Sequence, residues 1–94
     1  MKKIRYTDYF LDRLRVRNIP KAVVAEILHG AIERYFDVET GRFVRVKRVK
    51  YKGRYKRLMV AYEETENEMT AVTIHSVTKR QVQSRIKRQR WIPR

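Results

Sequence analysis

The sequence predicts an α+β domain: an N-terminal helical hairpin packed on a four-stranded antiparallel curled sheet, closed by a basic C-terminal helix. Two observations carry this. Apolar residues recur at helical spacing up to Leu28, alternate with period two from Ala31, and return to helical spacing only at Val82 and Ile86. Turn-forming residues fall at the changes of period, at Asn18-Ile19-Pro20, Gly30, Thr40-Gly41 and Gly53. At 94 residues the chain fits one domain, 1–94, with a modest core.

The first helix begins after Thr7, whose hydroxyl suits an N-cap, with Asp8 in the first turn where the helix dipole favours an acid. Phe10, Leu11 and Leu14 mark its buried side. Asn18-Ile19-Pro20 ends it and starts a second helix, with Pro20 in the first turn. Val23, Val24, Ile27 and Leu28 form that helix's apolar stripe, and Gly30 is expected as its C-terminal cap. Four strand-like runs follow, at about 31–39, 42–51, 55–64 and 69–78. The joints are Thr40-Gly41, Lys52-Gly53-Arg54 and Thr65-Glu66-Asn67-Glu68, short enough for an antiparallel meander. Residues 3–6 fit an added edge strand. Thr78-Lys79-Arg80-Gln81 has the form of a capping box and opens the last helix.

Net charge is +14, and it is concentrated. Residues 42–57 hold nine basic side chains and no acid; residues 79–94 hold seven more and no acid. Such clusters repel themselves unless a polyanion relieves them, and nucleic acid is the obvious one. A merely solvated charged surface would mix acids among the bases. No apolar run reaches the roughly 20 residues of a membrane span. The start, Met1-Lys2-Lys3-Ile4-Arg5, lacks the apolar stretch of a signal peptide. The absence of cysteine fits a cytoplasmic setting. Acids and histidines are too few and scattered to suggest a metal site, and no cofactor is expected.

Alternation within each run sorts the residues onto two faces. One collects Ile32, Phe36, Val38, Val44, Val46, Leu58, Val60, Tyr62, Val72 and Ile74, and is expected to pack on the helices. The other collects Tyr35, Arg45, Lys47, Tyr51, Tyr55, Arg57, Thr73 and His75. That second face suits RNA, since arginine and lysine hold phosphates and tyrosine stacks bases. His75 adds a group that titrates near neutral pH. RNA cleavage needs little more: the ribose 2′-hydroxyl attacks the adjacent phosphate, protons move, and cations stabilise the developing charge. Arg45, Lys47, Arg54, Tyr55, Lys79, Arg80, Arg85 and Arg88 are the candidate phosphate or RNA contacts. The bland alternatives are a surface role for His75, a surface charge for Arg57, core packing for Tyr62, a dipole-complementing helix end for His29 and an anchor for the C-terminal tail in Trp91.

The order of elements resembles the RelE/ParE toxin superfamily, and within it a group of small uncharacterised domains. The residues that carry the resemblance are Arg13-x-x-x-Arg17-Asn18-Ile19-Pro20 followed by Val23, Val24 and Ile27, the pair Gly53-Arg54, and the strands Leu58–Tyr62 and Val72-Thr73-Ile74-His75. Tyr9 stands where that group often has histidine, and Asn18 where it has glycine. The resemblance implies a messenger-RNA endonuclease, free or ribosome-associated, that acts as the toxin of a toxin–antitoxin pair with an acidic antitoxin as partner. It implies His75 as the acid/base group, Arg57 as the phosphate-holding arginine, and Arg45 and Lys47 as supporting cations. The superfamily also contains gyrase poisons that cleave nothing. A non-catalytic nucleic-acid-binding module would need only the two basic segments.

Overall fold

The computed structural model describes residues 2–94. Its elements in chain order are β1 (Lys3–Tyr6), α1 (Asp8–Arg17), α2 (Lys21–Gly30), β2 (Glu33–Asp37), β3 (Arg42–Tyr51), β4 (Arg54–Glu64), β5 (Glu68–Ser76), α3 (Lys79–Lys87) and β6 (Trp91–Pro93). The strands form one six-stranded sheet in the order β1-β5-β4-β3-β2-β6. The class is α+β, but the sheet has six strands rather than four. It is also mixed, because β1 runs parallel to β5. No helix among the described residues is long and apolar enough to cross a membrane.

The helix boundaries follow local chemistry. Thr7 Oγ1 accepts the Phe10 N–H at 3.1 Å and caps α1. Asn18 ends α1 in the left-handed conformation, with φ 55° and ψ 44°, which asparagine tolerates better than most residues. The N–H of Ile19 then bonds the Leu14 carbonyl at 2.9 Å, which turns the chain sharply into α2. Gly30 is the last helical residue and not a left-handed cap; Ala31 takes the cap position with extended backbone. Thr78 and Gln81 complete the expected capping box of α3, with bonds of 3.0 and 2.9 Å. At the other end of α3 the Gln89 and Arg90 N–H groups bond back to the Ile86 and Arg85 carbonyls, each at 2.9 Å. Gln89 sits at φ 59°. This left-handed closure reverses the chain and lays β6 along β2.

The sheet is covered on both faces. On one, α1 and α2 bury Phe10, Leu14, Val24, Ile27 and Leu28 against Val49, Leu58, Val60, Tyr62, Ala71 and Ile74. On the other, α3 and β6 bury Val82 and Trp91 against Tyr35, Val44, Val46, Met59 and Ala61. The expected facing of β3 is therefore corrected. A two-residue turn, Lys52-Gly53, both at positive φ, joins β3 to β4 and pairs Tyr51 with Arg54. In that register odd-numbered residues of β3 share a face with even-numbered residues of β4. Val44 pairs with Ala61 and Val46 with Met59, so both valines face α3 and not the helical hairpin. Arg45, Lys47 and Tyr51 move the opposite way, onto the hairpin side. Ile32 and Val38, expected in the core, are 90% and 50% exposed.

The C-terminal tail is held by one buried acid. Asp37, 4% exposed, accepts the Trp91 indole N–H at 3.2 Å. It also accepts the backbone N–H groups of Glu39 and Thr40 at 2.9 and 3.3 Å and pairs with Arg90 at 3.3 Å. Burial alone would raise the Asp37 pKa, but the bonds from Arg90, Glu39, Trp91 and Thr40 outweigh it and hold the pKa below the usual carboxylate value. Trp91 stacks on Tyr35 with ring centroids 5.3 Å apart and anchors the tail.

Candidate functional site

His75 pairs with Met59 across the β4–β5 ladder and lies on the α3 side of the sheet. Arg57, two residues from Met59, shares that side. Parallel pairing by β1 stops at Ala71, so the outer edge of β5 is free of a strand beyond that point. The Arg17 guanidinium fills part of the gap by donating to the Ile74 carbonyl. The consequence is local: Arg17 is fixed beside the histidine by a backbone bond, without a carboxylate to neutralise it among the described residues. Thr73 Oγ1 lies 2.9 Å from His75 Nε2 and shares a hydrogen bond with it. Partial burial lowers the His75 pKa, and the positive charges of Arg17, Arg13 and Arg85 lower it further. The shift favours the neutral imidazole, the form able to accept a proton.

Three adjoining clefts run along this rim of the sheet, of about 400, 390 and 400 Å³. The first is lined by His75, Arg17, Tyr51 and Lys56. The second shares Lys56 and Ser76 with it and adds Arg57 and the Thr78 cap of α3. The third shares Arg57 and adds Glu33, Tyr35, Lys79 and Gln83. Through these shared residues the three clefts form a line, the candidate groove, from the helical-hairpin side at Tyr51 round to the α3 side at Tyr35. Its cations are Arg17, Lys56, Arg57 and Lys79, and only Arg57 has an acidic partner among the described residues. That partner is Glu33, at 2.8 Å from Arg57 Nη1. The sequence reading missed Glu33, because its role depends on β2 lying two strands from β4. One edge of the guanidinium remains able to donate to a second anion.

The other expected site residues divide clearly. Arg45 and Lys47 do not join His75. Arg45 donates to the Tyr62 hydroxyl at 2.9 Å and to the Leu28 carbonyl. Lys47 pairs with Glu26 at 2.8 Å. Both tie the sheet to α2, so the structure corrects their placement as supporting cations. Arg54 and Tyr55 lie at the tip of the β3–β4 hairpin. Tyr55 carries Arg48 and Lys50 over its ring at 4.5 and 5.6 Å. Lys79 and Arg80 open α3. Arg85 covers the Trp91 ring at 4.9 Å, and Arg88 is the exposed C-cap of the same helix. His29 ends α2 and lies 3.1 Å from the Lys2 carbonyl, beside Glu64 and Met69 at the end of β4 and β5 opposite Arg57 and His75. Among the described residues no group of three or more histidine, aspartate or glutamate side chains is arranged to hold a metal ion.

Comparison with protein-family models, with curated proteins and with solved structures finds no match.

Proposed function

We propose that the protein binds RNA along the groove from Lys79 to Arg17 and cleaves it there, as the ribonuclease toxin of a toxin–antitoxin pair. The observation that carries this reading is an imidazole in the same line of clefts as four cations, three of them without acidic partners among the described residues. Phosphates occupy the cation positions. His75 takes the proton of a ribose 2′-hydroxyl, whose oxygen attacks the adjacent phosphorus. Arg57, through its free edge, and Arg17 stabilise the charge that builds on the phosphate oxygens. The 5′-oxygen leaves and is protonated by the imidazolium or by solvent. No cofactor enters these steps.

The RelE/ParE resemblance supports the same reading and supplies its biological setting: cytoplasmic messenger RNA as target, on or off the ribosome, and an acidic antitoxin as neutralising partner. The test is expression of the protein alone and with a short acidic protein encoded beside it. Growth arrest with fragmented messenger RNA, relieved by the neighbour, is the expected result. Normal growth under strong expression with intact RNA contradicts toxicity. A second reading, binding without cleavage, draws on one observation. Glu33 already neutralises part of Arg57, which weakens it as a phosphate clamp. Salt-dependent RNA binding by a protein that cleaves nothing at any pH would favour it.

A further inference from the structure

The β3–β4 hairpin extends beyond the rest of the sheet. Pairing with β2 ends at Val46 and pairing with β5 ends at Leu58. The pairs Val49 with Lys56, Lys50 with Tyr55 and Tyr51 with Arg54 continue past both neighbours as a two-stranded ribbon. Its root is fixed, since Val49 is buried in the hairpin-side core and Tyr51 packs against that core. Its turn is tight, with Lys52 and Gly53 at φ 55° and 73°. The ribbon is therefore a projection anchored at its root. Arg48, Lys50, Lys52, Arg54 and Lys56 have no acidic partner among the described residues. Tyr55 is 58% exposed, although it is large and aromatic.

We infer that this ribbon is a stacking platform for an unpaired base of a single-stranded nucleic acid, with Tyr55 as the base-contacting residue and Arg48 and Lys50 as phosphate contacts on either side of it. The inference rests on the reading that nucleic acid is the ligand. Charge complementarity selects a polyanion, and the partly exposed Tyr55 ring, with the Arg48 and Lys50 cations over it, selects one with flat bases that can displace or sandwich them. A paired RNA duplex offers neither its stacked bases nor a major groove wide enough for the side chains. Placement beside the groove follows from the register of β4. Tyr55 and Arg57 alternate onto the same, α3-side face of β4, so a strand lying over Arg57 reaches Tyr55 on the ribbon next. The ribbon would thus hold one nucleotide clear of its neighbours while the adjoining backbone sits in the groove.

The experiment measures affinity for a 12-nucleotide 2′-O-methyl oligoadenylate, which cannot undergo attack by its own 2′-oxygen, so the result is independent of cleavage. The comparison probes are an abasic strand of equal length, the same oligonucleotide in a duplex, and a DNA duplex. Tyr55→Ala should weaken binding of the single strand by about five- to a hundredfold, and Tyr55→Trp should restore it. The abasic strand should bind both variants alike, because only phosphate contacts remain. A loss that is equal on the abasic strand, or that Tyr55→Trp does not restore, overturns the platform. A Tyr55-dependent preference for the DNA duplex overturns it too, in favour of a ribbon that enters a major groove. Failure of the wild-type protein to bind any probe removes the nucleic-acid reading itself. Tyr55 is exposed, so thermal melting should show all variants folded.

Discussion

The two faces of the sheet carry basic residues of the same kinds, yet they treat them in opposite ways. On the helical-hairpin side Arg45 is spent on the Tyr62 hydroxyl and the Leu28 carbonyl, and Lys47 on Glu26. On the α3 side Arg57 pairs with Glu33, but Lys79, Arg80, Arg85, Lys87 and Arg88 make no salt bridge among the described residues. Arg85 there packs its guanidinium on the Trp91 ring. Charge count therefore does not mark an interface; unspent charge does. A cation whose donors are taken up by several groups or by a carboxylate glues two elements together, whereas one held by an aromatic ring or a single backbone bond keeps donors available to an anion.

The largest effect expected from this contrast is on salt dependence. RNA affinity should fall by about 10³–10⁵ between 50 and 200 mM salt if six to ten phosphates are contacted. A fall of less than about tenfold would mean that the α3 side and the ribbon are not electrostatic contacts. Next comes Arg57→Ala, which should lower the single-turnover cleavage rate by about 10²–10³ through lost stabilisation of the phosphate charge. Glu33→Gln frees the same arginine and should tighten RNA binding; weaker binding would show that Glu33 organises the groove instead of neutralising it.

Stability separates the two faces in another way. Asp37→Ala leaves the Trp91 N–H and Arg90 without their acceptor, and should cost about 3 kcal/mol, the low end for breaking a buried pair because Arg90 is partly exposed. The Asp37 pKa is lowered in the folded protein, so its contribution is complete above the ordinary value of 3.8 and is lost as pH falls through the depressed one. Denaturation followed by the Trp91 signal between pH 5 and pH 2 (an arbitrary acid range, about three units wide) should show the wild type losing stability and Asp37→Ala losing less. The smallest effects are at single exposed cations. Arg88→Ala should reduce the salt slope by about 1 and leave melting unchanged. Glu26→Gln should cost at most about 1 kcal/mol and leave RNA affinity unaltered, since Lys47 faces the hairpin.

Much of the scaffold was legible because it is written locally. Thr7, Asn18-Ile19-Pro20 and the Thr78–Gln81 box act within five residues of themselves, and each marks its helix boundary. The fourth helix-boundary signal, Gly30, marks the right place with a different backbone conformation. What was not legible depends on distant partners. β6 has three residues, too few to alternate, and exists because Asp37 bonds Trp91 from 54 positions away. The turn before it uses Gln89 in the left-handed position, where glycine would have been the visible signal. The facing of β3 hinges on whether its turn holds two residues or three, a difference of one that moves Arg45 and Lys47 off the candidate site and Val44 and Val46 into the second core. His75 and Arg57 lie on strands where alternation alone places them on a common face; Glu33, Arg17 and the groove that joins them required the fold.

The central claim is that His75 is the proton acceptor of an RNA-cleaving groove. The most direct test is single-turnover cleavage of end-labelled RNA across pH, with and without ribosomes, for wild type and His75→Ala, alongside RNA affinity. The account predicts a wild-type rate that is level at neutral pH and declines in acid, with its midpoint below the ordinary histidine value of 6.5, because the neutral imidazole is the active form and its pKa is lowered. It predicts that His75→Ala binds RNA nearly as well and cleaves it at least about a hundredfold more slowly. Cleavage that survives His75→Ala unchanged, or a wild-type protein that binds RNA and cleaves none at any pH, would contradict it.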